Sequence, residues 1–468
     1  MRVNRAVLVV VFAAVIVQTV AVGYAWRRGG AIDHFALASV DGGEFTRIAS
    51  NWVDSFAYSQ SPSAPYESDT WRTPGYPLFL AGVMTIAGSS PVVLVVAQQL
   101  VAVLSAWLFF VVARRRLGRT AATVASLLWI LEPFRAYYSL WLLSLTWFVF
   151  VLLAGLWSWD RQGALDRPGR WAVLTGALVG FAVLVRPVAI LLPPLVCIGA
   201  GWRARRLGVA AMCLAGTVAV LLPWVVRNRV VAGHWGLSHQ GGAVLAYFKA
   251  SEVLLWERGQ RRARYDEAVV HEVWDALDAS LHARLEADGV ALSDDARSTL
   301  RWPNLAWGRV EGVNGFVVSD ALCSVAWDAL RRRPGATVVC GVARMVSILT
   351  FPLPLALSPP TTPAALPLTG SFGHERRALG RVLAGLLGAG YAGLVVVAMV
   401  RGVRVWRRGG RVGVLTLVVP VLALLVLTTP QMDPRFRVPM MPFLLLLALL
   451  PLPRDGAPRR EEASRSAV

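Results

Sequence analysis

Residues 91–119 read PVVLVVAQQLVAVLSAWLFFVVARRRLGR. The stretch 91–113 carries no charge and has the length a helix needs to cross hydrocarbon. It ends on Arg114-Arg115-Arg116. An apolar run closed by arginines is the pattern of a membrane helix whose basic end stays in the cytoplasm. The rest of the chain repeats it. Of 468 residues 56% are hydrophobic and only 16% charged, with a mean hydropathy of +0.55. A soluble domain would carry about a quarter of charged residues. The expectation is an all-α, polytopic helical membrane protein; the short alternating segments of a strand barrel are absent.

The formal net charge of +19 resides in arginine clusters beside apolar runs, at 114–116, 203–206 and 401–411. Such clusters orient helices and meet lipid headgroups, so nucleic acid is excluded as a partner. Met1-Arg2-Val3-Asn4-Arg5 precedes a run, 6–26, that is too long for a signal core and has no clear cleavage site. It reads as a retained first helix with its N-terminus in the cytoplasm. Alternating sides then gives about ten crossings, at 6–26, 91–113, 120–131, 140–159, 171–185, 188–202, 207–226, 382–400, 412–427 and 436–450. Parity leaves 75–88 and 336–351 without a full crossing. The expected organisation is a transmembrane module over 1–230 containing a first outer loop at 27–73. A small extracytoplasmic helical cap covers 231–334, membrane segments 335–453, and a cytoplasmic tail 454–468. In the cap, Val269, Val270, Val273, Trp274, Leu277, Leu281 and Leu285 recur at helical spacing, and a second helix starts at Ser293. The proline-rich stretch 352–367 reads as a loop.

The four cysteines show no metal-ligand spacing. Cys197 and Cys213 lie in apolar runs as small core residues, and a Cys323–Cys340 disulfide on the outer face is open. The histidines show no zinc-type pairing.

Charged residues at the wrong place carry the functional reading. Arg72, Arg186, Arg227, Arg435 and Arg437 fall on the outer side or inside apolar runs, each beside a proline or a helix end. A charge at bilayer depth costs a few kcal/mol unless paired, and the guanidinium fork suits phosphate oxygens. The set, with Asn228, reads as a site for a lipid phosphate or pyrophosphate. The alternative for each arginine is a nearby carboxylate or snorkelling to headgroups. Asp41 and Glu44 follow the first crossing at a spacing that shares a helix face. One carboxylate suits proton abstraction from a hydroxyl, and the other suits orienting it or helping to hold a cation. The alternative is a solvated acid or a helix-start charge. Asp54, Glu67 and Asp69 read as surface residues, and Glu132, before Pro133, as a secondary candidate. Trp71, Tyr76, Tyr137, Tyr138 and Trp141 read as interface-belt aromatics, with Tyr76 also carried as a substrate-side candidate.

Together VDGGEFTRIA, RTPGYPLFLAG, ARRRLGRTAATVASLLW, GALVGFAVLVRPVAILLPP, LLPWVVRNRVVAG and DPRFRVPMMPFLLLL, in this order, resemble the GT-C superfamily of membrane glycosyltransferases. More narrowly, the chain is similar to bacterial relatives of the dolichyl-phosphate-mannose-protein mannosyltransferases and of the aminoarabinose transferases of lipid A. The resemblance implies a GT-C-type fold in the plasma (inner) membrane and an inverting transfer on the extracytoplasmic side. The donor would be a polyprenyl-phosphate-linked sugar and the acceptor a lipid, glycan or protein. It makes Asp41 the counterpart of the family's base and Glu44 that of a second acid. It puts Arg186, Arg227 and Arg437 near the donor phosphate. Ser144-Leu145-Thr146 stands where many relatives carry an acid. The cofactor question therefore stays open between none and a divalent cation. The competing functions are a transporter or flippase of a lipid-linked substrate, which should show repeated halves and paired broken helices, and a catalytically inactive scaffold.

Overall fold

The structure is a computed structural model; it describes residues 5–29, 36–37, 39–162, 168–260, 266–302, 313–350, 374–428 and 434–453. The expected proline-rich loop and cytoplasmic tail lie outside these residues. All regular structure among the described residues is helical. Among the described residues seven helices are long and apolar enough to cross a membrane: Arg5–Arg27, Pro91–Leu117, Pro168–Val185, Pro187–Ala204, Leu207–Ala232, Val382–Arg407 and Arg411–Thr428. Their outward rows, such as Leu8, Phe12, Val20 and Leu100, are exposed, as a lipid-facing surface requires. The chain is a polytopic helical membrane protein.

The other three expected crossings take different forms. Arg119–Ile130 is a helix of 12 residues, closed at Leu131 just before Pro133 opens the next short helix. Leu145–Gln162 begins only after the turn 139–144 and is buried along most of its length. Residues 434–449 enter through two short 3₁₀ turns before the Met441–Leu449 helix, in which Met441–Ala448 are all buried. Residues apolar on every side belong in a bundle interior, and this helix packs against the Arg411–Thr428 and 374–407 helices.

Small residues bring the backbones together. A Cβ on Gly176 would fall 1.8 Å from the Cys213 carbonyl oxygen, and one on Gly216 would fall 2.1 Å from that of Val173. Thr217 Oγ1 donates to Gly176 O across the same seam, 3.1 Å. This is how helices associate where lipid removes the hydrophobic drive. The Gly75–Ala87 helix, about 20 Å long, is too short to cross. Its Tyr76 Oη donates to Gln98 Oε1 of the Pro91–Leu117 helix at 2.7 Å.

Basic clusters gather at one end. Arg116 pairs with Asp160, and Arg203 Nη1 donates to Trp159 O at 2.9 Å. A second hydrophobic cluster lies apart from the bundle core. It joins residues 240–257, the Glu267–Ala287 helix capped by Asp266, and the Gly315–Arg331 helix. Ser293 Oγ caps the short Asp294–Thr299 helix, accepting from Ala296 N at 3.1 Å. This cluster leans on the Pro334–Thr350 helix through a buried Arg344–Glu252 pair, 2.5 Å apart. All four cysteines are free. The disulfide left open from sequence is absent because Cys340 faces Glu252 O at 3.9 Å, while Cys323 lines a cavity described below.

Candidate active site

Ser39 caps the Val40–Ser55 helix, accepting from Gly42 N at 3.1 Å. Asp41 stands in its first turn, where the exposed N–H groups favour a carboxylate. Glu44 follows on the same face, and Arg72 meets both acids. Its Nη2 lies 2.5 Å from Asp41 Oδ1, and its Nε donates to Glu44 Oε2. Arg435 Nη1 reaches Asp41 Oδ2 at 3.4 Å. The Arg72 guanidinium also lies over the Phe45 ring, 4.9 Å from its centroid.

Arg72 is aimed by its loop. Asp69 Oδ1 accepts the backbone N–H groups of Trp71 (2.8 Å) and Arg72 (2.9 Å), a side-chain turn of the kind Asp makes locally. Asp69 is fully buried. This corrects its reading as a surface residue; the signal available was an Asp two and three residues ahead of the N–H groups it bonds. Tyr58 Oη donates to Arg72 O at 3.0 Å. From behind, Arg227 Nη1 donates to Asp69 O (2.5 Å) and Nη2 to Tyr58 O (3.5 Å). Asn228 Nδ2 donates to Gly236 O at 2.8 Å.

A cavity of about 590 Å³ opens on this cluster. Asp41, Arg72, Arg186 and Arg435 line it, with Ser144, Trp71, Phe436 and residues contributed by the second cluster, including Gln240, Phe248, Lys249 and Trp302. Of the arginines singled out in the sequence, these three share it. Arg227 and Asn228 lie in the layer behind. Glu44 backs Arg72 and does not line the cavity. Glu132 and Arg437 form a separate, fully buried pair at 3.5 Å. There Glu132 caps the Pro133–Tyr138 helix and accepts from Tyr391 Oη at 2.6 Å, and Arg437 lies 3.5 Å from the Tyr391 ring centroid. Tyr76 is fully buried against Phe45, so it is neither at an interface nor on the cavity wall. Lys249 carried no signal beyond being one lysine among forty-six arginines.

The two acids are tuned in opposite directions. Burial pushes Asp41 up, but the fields of Arg72, Arg435 and Arg186 outweigh it and hold the carboxyl below its usual range. Burial dominates at Glu44 and raises its pKa despite Arg72. A divalent cation at this pair would have to displace the guanidinium already bridging both carboxylates. Among the described residues no group of three His, Cys, Asp or Glu could hold a metal ion. The described residues do not fit a resident cation.

Residues 71–226 match the model of the dolichyl-phosphate-mannose-protein mannosyltransferase family. The match includes Arg72, Ser144 and Arg186 and leaves Asp41, Arg435 and Lys249 outside it. No curated protein matches the chain. Among solved structures, ArnT from Cupriavidus metallidurans bound to undecaprenyl phosphate is similar at 17% identity. That match covers 95% of this chain and 76% of the other, with a TM-score of 0.39. The Archaeoglobus fulgidus oligosaccharyltransferase in the apo form is similar at 14% identity over 95% of this chain and 50% of the other, with a TM-score of 0.43. The family match is confined to residues 71–226, and it falls on a chain folded as a polytopic helical bundle.

Proposed function

We propose that the chain is an inverting glycosyltransferase that moves a sugar from a polyprenyl-phosphate donor to a hydroxyl acceptor at the extracytoplasmic face of the plasma membrane. The observation that carries the reading is one carboxylate, Asp41, set into a cavity wall between Arg72 and Arg435, with Arg186 on the same wall. A lipid phosphate is a competent leaving group, so the work left to the protein is charge stabilisation and proton removal. The three guanidinium groups take the phosphate. The acceptor hydroxyl attacks the anomeric carbon from the face away from it and the carbon–oxygen bond to phosphate breaks with its electron pair. The hydroxyl proton passes to Asp41 as the new bond forms. Glu44 is a positioning residue that fixes Arg72.

The donor's isoprenoid chain lies in an apolar pocket of about 270 Å³ lined by Leu156, Leu195, Ile198, Leu415, Val419 and Phe443. The cavity rim at Ile190 and Thr428 leads into the two helices, Leu192–Ala204 and Arg411–Thr428, that flank this pocket. Sidedness rests on the basic clusters: they gather at the far ends of the helices that open on the cavity, and basic ends face the cytoplasm. ArnT from Cupriavidus metallidurans, solved with undecaprenyl phosphate, fits the same donor class.

The experiment is transfer from a labelled polyprenyl-phosphate sugar by the full chain in lipid nanodiscs, comparing wild type with Asp41→Asn. Loss of transfer with donor binding retained supports the reading. Undiminished transfer by Asp41→Asn removes Asp41 as the base, and failure of the wild type to retain undecaprenyl phosphate removes the donor class.

A further inference from the structure

The Leu145–Gln162 helix starts at the cavity wall. Leu143 and Ser144, the two residues before its first turn, both line the cavity. Its hydrogen-bond ladder opens with Phe148 N donating to Ser144 O at 2.9 Å, so Ser144 stands at the cap position. The N–H groups of Leu145, Thr146 and Trp147 then have no intrahelical acceptor. Leu145 and Thr146 are buried, and a buried N–H without an acceptor is costly.

A serine at a cap position ordinarily meets part of that need by accepting an N–H with its side chain. Two others in the chain do so: Ser39 Oγ accepts from Gly42 N and Ser293 Oγ from Ala296 N, each at 3.1 Å. Ser144 behaves differently. It is 7% exposed, and among the described residues its hydroxyl has no hydrogen-bond partner. A hydroxyl this deeply buried, on a cavity wall and making no bond to its own helix, is placed for something that enters the cavity. Arg186 stands beside the same helix end. Its guanidinium lies 5.9 Å from the ring centroid of Phe148, in the first turn, and 5.4 Å from that of Phe436. Leftover N–H groups, the positive end of a helix dipole, a hydroxyl donor and a guanidinium all favour an anion.

We infer that the start of the Leu145–Gln162 helix seats the donor phosphate, with Ser144 Oγ donating to one of its oxygens and Arg186 and the first-turn N–H groups facing the others. This rests on the donor reading above and adds to it: a hydroxyl and a helix end hold the phosphate alongside the guanidinium groups, and Ser144 is a binding residue and not a helix cap. An aspartate at this position would cap the helix as well as a serine does, but it would set a negative charge against the phosphate. Cap strength and lipid-phosphate binding therefore rank the residues at 144 differently.

That difference is the test. The full chain in phosphatidylcholine nanodiscs is compared as wild type, Ser144→Ala and Ser144→Asp. Retention of radiolabelled undecaprenyl phosphate is measured over empty discs, with radiolabelled undecaprenol, the same chain without its phosphate, as the control probe. Ser144→Ala is expected to weaken retention of undecaprenyl phosphate about tenfold and Ser144→Asp about a hundredfold or more, with undecaprenol held equally by all three. A cap role predicts another order, with Ser144→Asp like wild type and Ser144→Ala lowered in its thermal unfolding midpoint. Undecaprenyl phosphate held as tightly by Ser144→Asp as by wild type overturns the inference and leaves the donor reading standing. Equal losses of undecaprenyl phosphate and undecaprenol overturn it too, by assigning Ser144 to the shape of the wall. Where Ser144→Asp does not fold, Ser144→Ala decides on the same two probes. Failure of wild type itself to retain undecaprenyl phosphate removes the donor reading and this inference with it.

Discussion

Gly75→Ala is a one-carbon test of the geometry. Gly75 follows Arg72 by three residues and opens the Gly75–Ala87 helix against the end of the Pro168–Val185 helix. A Cβ there would lie 2.6 Å from Val185 N and 2.7 Å from the Leu184 carbonyl carbon. Both are backbone atoms that no rotamer change can move. A carbon needs about 3.5 Å, so the two segments must part by about 0.9 Å. Overpacking of this kind costs about 1–3 kcal/mol. The displacement also falls between Arg72 and Arg186, which immediately follows Val185. A misplacement near 1 Å in a catalytic constellation costs about a hundredfold. Losing one charge-assisted hydrogen bond to phosphate costs about 1.5–3 kcal/mol. Gly75→Ala is therefore expected to weaken retention of radiolabelled undecaprenyl phosphate by about tenfold or more and to lower the thermal unfolding midpoint. Gly82→Ala is the control: on the same helix its Cβ meets nothing within 4 Å, and alanine should stabilise the helix by up to about 1 kcal/mol. Equal lipid-phosphate retention and stability in Gly75→Ala and Gly82→Ala would refute the argued contact and the role given to the Arg72–Arg186 spacing.

Asp41→Asn should cut transfer by about 10²–10⁴ while undecaprenyl phosphate is still retained; a loss confined to donor affinity would make Asp41 a binding group instead. On acidification Glu44 takes up its proton first, because burial raises its pKa above 4.5, whereas the arginines keep Asp41 ionised below 3.8. The acidic limb of the transfer rate is thus expected above 4.5 and should move below 3.8 in Glu44→Gln, where Asp41 is the acid left to titrate; a limb unchanged in that variant would reassign it. Asn228→Ala leaves the Gly236 and Leu237 carbonyls without their amide donor. It should destabilise the protein by about 1–3 kcal/mol, read as a lower unfolding midpoint; an unshifted midpoint would count against its role in tying down the segment after the Leu207–Ala232 helix.

Membrane architecture was legible because its signals are local. Apolar run length and flanking arginines are properties of a window of residues, and seven of the ten expected crossings return as helices long enough to span. The shorter ones were harder to read. Residues 120–131 and 436–450 look like crossings from hydropathy alone, yet they form a short helix and a 3₁₀-broken entry because neighbours bury them and length is no longer set by lipid. Site chemistry was half legible. Asp41 and Arg72 stood out because a charge beside an apolar run is costly. The same cost marked Arg227 and Arg437, which satisfy it inside the protein, through Asp69 O and Tyr58 O in one case and Glu132 in the other.

From the order of residues alone follow the helical membrane fold, its basic ends and the acids and arginines that need an explanation, since each depends on free energies of transfer felt residue by residue. Which of those charges share a cavity is a matter of distances between segments hundreds of residues apart, as with Arg435 and Asp41. Only packing sets these distances: Arg227 turns behind the loop, Arg437 sinks into the bundle, and an unheralded lysine arrives at the wall on a π-helical turn.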